Sequence, residues 1–275
     1  MTTDVNRRVL PGFSLSLGYT LLYMSLLVAI PLGAGFLKAS HLSFAQFWAA
    51  VASDRALAAY RLTLGASLAS AVINVWIGVL VAWVLVRYEF PLKGLLDSLV
   101  DLPFALPTAV AGLVYSDLFV EQGWYGRFLV PLGIQGAYSR LGIVLVLVFI
   151  GFPFVVRTLQ PVLEGLDKDV EEAAACLGAN RLQTALRVIF PSILPAVITG
   201  FALAFARSLG EYGSVVFVSG NMPFRTEIAP VLIVARLEEF AYTEATAIAV
   251  VLLTISFITL FGINLLERWS KRHHG

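Results

Sequence analysis

Residues 171–195 read EEAAACLGANRLQTALRVIFPSILP. Alanine, glutamate, leucine, glutamine and arginine all favour the helix, so this polar segment is helix-prone on both sides of its glycine. Asp167 or Asp169 can start the first helix, and Asp169 with Glu172 has capping-box spacing. Gly178 follows AACL, where a helix commonly ends in a left-handed residue. Asn180 can then cap a second helix running through Arg187, and Pro191 and Pro195 reset the chain afterwards. The expected result is a capped helix–turn–helix with small residues, Ala173 and Ala174, on one face, where another surface can approach closely.

Everything around this segment is far more apolar. The 275 residues are 59% hydrophobic and 13% charged, with mean hydropathy +0.84. A soluble domain carries about a quarter charged residues, so the chain lacks the means to cover a water-facing surface. A helix needs about 20 apolar residues to cross a bilayer. Six stretches qualify: Phe13–Leu37, Leu62–Val86, Ser98–Val120, Leu141–Leu159, Ile193–Val218 and Ala245–Leu266. The first is longer than the 7–15 apolar residues of a cleaved signal, and is read as a span. Pro103 and Pro107 interrupt the third, Gly151 and Pro153 the fourth; neighbouring helices must satisfy the backbone groups freed there.

Lysine and arginine set the orientation. With the N-terminus inside, the inner segments hold eleven: Arg7, Arg8, Arg87, Lys93, Arg157, Lys168, Arg181, Arg187, Arg268, Lys271 and Arg272. The outer segments hold seven: Lys38, Arg55, Arg61, Arg127, Arg140, Arg225 and Arg236. Both termini are therefore expected in the cytoplasm, with residues 1–12 and 267–275 as tails. Residues 160–192 form a cytoplasmic loop between spans four and five. Trp124 and Tyr125 read as interfacial anchors.

Several chemistries are excluded. Cys176 is the single cysteine, so neither an internal disulfide nor a multi-cysteine metal site is available, and His41, His273 and His274 are too scattered for a ligand cluster. No span contains a histidine, which argues against an intramembrane enzyme. No G-x4-G-K-[ST] phosphate loop is present, so the chain cannot itself use ATP. An ion-driven secondary transporter would not need a glycine-hinged loop, and no inverted repeat is evident.

Glu172-Ala173-Ala174, three residues, Gly178, nine residues, then Val188-Ile189-Phe190-Pro191 resembles the EAA loop of ABC-importer permeases, E-A-A-x3-G-x9-I-x-L-P. The departures are Val188 for isoleucine and Phe190 for leucine, both apolar. The resemblance implies an all-α integral membrane protein of the inner membrane, a six-helix type I importer bundle. Its loop would be a coupling helix seated in a separate ATPase through Glu172, Ala173, Ala174, Gly178, Val188 and Pro191. DLPFALPTAVAGLVYSDLF (101–119), EQGWYGRFLVPLGIQ (121–135) and FARSLGEYGSVVFVSGNMPFRTEIAPVLI (205–233) are similar to permeases of the oxyanion group, most of all the T-type of sulfate and thiosulfate importers. Molybdate and tungstate permeases share much of the last pattern. The partners implied are a homologous second permease, two ATPase copies, an extracytoplasmic sulfate-binding protein and the lipid bilayer, without nucleic acid. The resemblance implies no cofactor in this chain, ATP and Mg being used by the partner ATPase, and no catalysis by the chain itself.

An arginine at a helix centre costs about 2.5–3.5 kcal/mol on insertion scales. Arg207 and Glu211 lie four apart in the fifth stretch and can pair on one helix face. Two readings fit: a couple that steadies the bundle, and an arginine lining the anion path or its gate. Gly210 and Gly213 would allow close helix approach there. Asp101 and Asp117 read as interfacial, and Arg225 as an outer-loop residue able to meet a binding protein.

Overall fold

The computed structural model describes residues 13–274, and the segment expected as the cytoplasmic N-terminus, 1–12, lies outside them. Helix α1, Phe13–Ser40, contains a π turn at Ser25–Ala29. A short α2, Phe44–Val51, leads to α3, Asp54–Arg87. Three pieces follow: α4 Lys93–Val100, α5 Leu102–Ala105 and α6 Thr108–Phe119. One turn, α7 Gly126–Leu129, precedes α8, Arg140–Glu164. Beyond it lie α9, Lys168–Cys176, and α10, Arg181–Leu209. The short α11, Val215–Val218, and α12, Ala229–Glu238, lead to the last helix, α13, Tyr242–His274. Among the described residues five helices, α1, α3, α8, α10 and α13, are long and apolar enough to cross a membrane.

The third stretch differs from the single span expected over Ser98–Val120. Leu106 precedes a proline and is extended (φ −84°, ψ 132°), which is where the ring of Pro107 forbids the α conformation. Pro103 sits in the first turn of α5, where its missing N–H is harmless. At 12 residues, α6 is too short to span. Pro153 and Pro161, by contrast, lie inside an unbroken α8.

The fifth helix also departs from expectation. It does not begin at Ile193 after a proline reset but runs from Arg181, through a π turn at Ala185–Ile189, to Leu209. The π turn shifts the hydrogen-bond register immediately before Pro191, so the ring is accommodated without a break. The helix stops at Gly210, eight residues short of Val218. The sixth begins at Tyr242 and the second at Asp54, where the Ser53 side chain accepts from the Ala56 N–H.

Helices α3, α8 and α10 form the centre, with α13 against α10 and α12, and the second half of α1 against α13. Small residues bring the central three together. A Cβ on Gly78 of α3 would stand 2.7 Å from Val155 Cγ1, and one on Gly200 of α10 would stand 3.1 Å from Val155 Cα. A Cβ on Gly151 of α8 would overlap the Asn74 amide of α3. Buried Val155, Val156, Leu159 and Leu163 fill the space between them. The first half of α1 buries nothing within the chain.

The short α6 is fastened to the segment after α10. A Cβ on Gly112 would overlap the Ser214 carbonyl, and Ser116 Oγ donates to the Phe217 carbonyl at 2.8 Å. Gly112→Ala should therefore push α6 from residues 213–218, costing about 1–3 kcal/mol as overpacking does. The check is thermal unfolding of the purified membrane protein, with Gly35→Ala as control because a Cβ there meets nothing. Equal midpoints for the two variants would refute the close approach.

Candidate functional site

The segment joining α8 to α10 folds locally as its residues direct. Asn180 caps α10 with a complete capping box: Gln183 N–H donates to Asn180 Oδ1 at 2.8 Å, and Asn180 N–H to Gln183 Oε1 at 2.9 Å. Gly178 is left-handed (φ +83°), and its N–H donates to the Ala175 carbonyl at 2.9 Å. A side chain there would meet no neighbour, so the demand for glycine is conformational. At the start of α9 the expectation fails: Asp167 holds the N-cap position without a side-chain hydrogen bond, and no box forms between Asp169 and Glu172.

The predicted residues of the loop divide by exposure. Glu172 and Ala173 face outward while Ala174 is buried, so the two alanines do not share one open face. Val188 is half-buried in the π turn, and Pro191 is half-buried one residue beyond Phe190. Leu177 is 89% exposed, and Leu182 and Leu186 also stand open. The residue that ties the loop to the bundle is Glu171, which the sequence pattern did not single out. Its carboxylate pairs with Arg87, the last residue of α3, at 2.8 Å. Arg87 also donates to the Leu166 carbonyl at 3.4 Å and lies over the Trp83 ring. The signal was the doubled glutamate, of which one member faces in and one out.

A second charged cluster sits seven residues before the end of α8. Arg157 grips Asp101 with two bonds, Nε–Oδ1 at 2.8 Å and Nη2–Oδ2 at 2.6 Å, and reaches Asp97 at 2.7 Å. The fork geometry suits arginine and holds the α4–α5 break against α8. Gln160, donating to Asp97 Oδ1 at 2.8 Å, and Arg157 beside it hold the Asp97 carboxyl below its ordinary range.

The third site lies near mid-depth. Ser208 Oγ is 3.2 Å from Ser70 Oγ, midway along α3, which sets the neighbouring Arg207 level with the middle of that helix. Arg207 Nη1 donates to Glu211 Oε2 at 2.6 Å. The pair forms as the spacing allowed, yet not on one helix, since α10 has ended at Leu209. Glu211 is 2% exposed and also holds the turn before α11, its Oε1 accepting from Ser214 N–H and Ser214 Oγ, both at 2.9 Å. Arg207 keeps 34% of its side chain open, with Nε and Nη2 bonded to nothing among the described residues. Gly213 permits close approach, to Thr108; a Cβ on Gly210 would meet nothing.

At the end opposite the loop, Arg225 is exposed, and its carbonyl accepts from Arg140 Nε at 2.9 Å. Asp117 is exposed, and Trp124 is 74% exposed. Among the described residues no group of three His, Cys, Asp or Glu could hold a metal.

The family model for "Binding-protein-dependent transport system inner membrane component" matches residues 74–272. The chain is 49% identical over 268 residues to the sulfate transport system permease protein CysT of Salmonella typhimurium, covering 97% of each. It is 50% identical over 254 residues to the protein of that name from Synechocystis, covering 92% of this chain and 89% of the relative. Among solved structures, a chain of the bacterial alginate ABC transporter in complex with a pentasaccharide-bound periplasmic protein superposes with TM-score 0.75 at 18% identity, covering 93% of each. An inward-facing MetNI methionine ABC transporter chain gives 0.58 at 16% identity, over 85% of this chain and 100% of that one. These two share the fold.

Glu211→Ala strands the buried Ser214 N–H, at about 1–3 kcal/mol, and leaves the part-exposed Arg207 charge unanswered. Arg207→Ala strands less, because Glu211 keeps its bonds to Ser214. The thermal midpoint should accordingly fall further for Glu211→Ala; a larger fall for Arg207→Ala would reverse the order of support.

Proposed function

The chain belongs to the family of binding-protein-dependent transport system inner membrane components, and from that premise we propose that it carries sulfate into the cytoplasm as the permease of an ATP-driven importer. Relatives about 50% identical over nearly the whole chain are named as sulfate permeases, which favours sulfate over the molybdate alternative. Thiosulfate, isosteric in shape and charge, is proposed as a second cargo. The permease does not hydrolyse ATP; that chemistry belongs to a separate ATPase.

The observation that carries the mechanism is the continuity of α10. Its 29 residues form one rod from the loop to the Arg207–Glu211 site, a length of about 43 Å at 1.5 Å per residue. We assign residues 160–192 to the cytoplasmic side, with both termini, and the loop to docking on the ATPase. Glu172, Ala173 and the open Leu177 would meet the ATPase surface. Ala174 would hold α9 against α10, and Gly178 would set the angle between the two. Val188 and Pro191 would join the docked part to the rod. Pressure on α9 then reaches the loop junction with α3 through Glu171 and Arg87, and the bundle centre through α10.

At that centre Glu211 fixes Arg207, whose two free donors face an open side. Arg207 would there line the anion path or its gate and favour a doubly charged anion without holding it tightly. The bundle would work with a homologous second permease as a heterodimer, two ATPase copies and an extracytoplasmic sulfate-binding protein, Arg225 being offered to the last. ATP and Mg would be the partner's.

Labelled-sulfate uptake in cells with and without the chain, challenged by excess molybdate and thiosulfate, tests the cargo. Uptake should depend on the chain, survive molybdate and fall with thiosulfate; loss of molybdate uptake alone would establish the other anion. Arg207→Ala should lower uptake more than the yield of assembled complex, and a loss of assembly first would leave Arg207 a purely supporting role.

Gly178→Val forces a β-branched residue to positive φ, at about 1–2 kcal/mol, and Leu177→Glu charges the exposed tip. Both should insert normally and co-purify with the ATPase about tenfold less, an interface loss of ~1.4 kcal/mol. Normal co-purification and uptake in both variants would overturn the docking role of the loop.

A further inference from the structure

Five arginines among the described residues meet a carboxylate. Arg55 pairs with Glu227, Arg87 with Glu171, Arg157 with Asp97 and Asp101, Arg207 with Glu211, and Arg236 with Glu239. Arg61 and Arg140 are among those that do not, and they are the two that share a cavity. Both are exposed and line one open cleft of about 500 Å³ at the end opposite the loop, together with Gly65 of α3, Val144 and Phe224. Arg61 has no hydrogen bond or ion pair among the described residues. Arg140 engages only its Nε, on the Arg225 carbonyl, which leaves both terminal nitrogens available.

The setting is electrostatically one-sided. Arg140 is the first residue of α8, so its charge sits at the positive end of that helix's dipole, where a cation is unfavourable. Arg61 lies seven residues inside α3, about 10 Å along the helix from its start, and is exposed at that end. The buried acid at this end, Glu227, is already gripped bidentately by Arg55 at 2.7 and 2.8 Å. Space is kept as well as charge: a Cβ on Gly65 would meet nothing within 4 Å. Two guanidinium forks with free donors, converging on a cavity without a carboxylate, suit a tetrahedral oxyanion, whose oxygens accept paired N–H bonds.

We propose that the Arg61–Arg140 cleft binds a tetrahedral oxyanion at the end of the bundle opposite the loop. Two sources supply that chemistry, sulfate waiting to enter the path and the phosphate of a lipid headgroup. The first rests on the function proposed above; the site itself does not.

The test uses the permease assembled with its partner subunits in nanodiscs. The thermal midpoint is measured in chloride, in millimolar sulfate at matched ionic strength, and in chloride with phosphatidylglycerol replacing part of the phosphatidylcholine. Sulfate should raise the wild-type midpoint by several degrees and the Arg61→Gln/Arg140→Gln midpoint by much less, while Arg61→Lys/Arg140→Lys keeps part of the response. A response to phosphatidylglycerol in place of sulfate, lost in the same glutamine variant, supports the site and assigns the lipid as its occupant. Should the double variant fail to assemble, Arg61→Gln alone decides in the same way. Equal responses in wild type and glutamine variant, or no wild-type response to either anion, overturn the proposal. Failure of wild-type sulfate uptake would strike the transport function and leave this comparison readable.

Discussion

The close crossing of α3, α8 and α10 around Val155 is the contact on which the rest of the molecule depends. Lipid is as apolar as leucine, so helices in a bilayer gain little from hydrophobic burial and must gain from packing at short range. Gly78 and Gly200 press on Val155 from two sides, and Gly151 receives the Asn74 amide. Three helices locked at that spacing give the other elements a fixed reference. The fragments α4 to α6 lean on α8 and on the segment after α10, and α13 lies along α10.

Polar groups inside this frame are arranged so that few stand alone. The irregular backbone between Gly210 and Asn221 survives among membrane helices because side chains serve it. Glu211 takes the Ser214 N–H, Ser116 donates to the Phe217 carbonyl, and Asn221 Nδ2 donates to the Val216 carbonyl at 2.9 Å. Arg157 acts in the same way where the third stretch breaks, binding Asp97 and Asp101 across to α8. Irregular backbone at membrane depth is tolerated where protein surrounds it. Breaks placed there are the natural positions for movement, being held by a few replaceable bonds rather than by a continuous ladder.

The link between the two ends uses equally few parts. Helix α10 leaves the loop, absorbs Pro191 behind a π turn and ends beside the central arginine. Sequence relatives place the chain among transport-system permeases, the solved structures share its fold, and the rod is the physical route on which the proposed coupling rests. The loop needs no active-site chemistry for this. The docking proposed for it would need a hinge angle, an exposed apolar tip and an anchor, and Gly178, Leu177 and Glu171 have those properties.

By itself the sequence determined the membrane class, the approximate places of five long helices, the turn at Gly178 and the cap at Asn180. Those are matters of local chemistry: a length of apolar residues against a bilayer thickness, a left-handed residue, a side chain bonding to N–H groups three residues away. Which prolines break a helix was decided only by tertiary structure, since Pro107 ends one, while Pro153 and Pro191 are carried through. The same holds for Glu171 rather than Glu172 turning inward, for Glu211 lying beyond its helix, and for Arg61 and Arg140 reaching one cavity. Each depends on a partner dozens of residues away or on a helix end set by such a partner, and no periodicity within a single element records that.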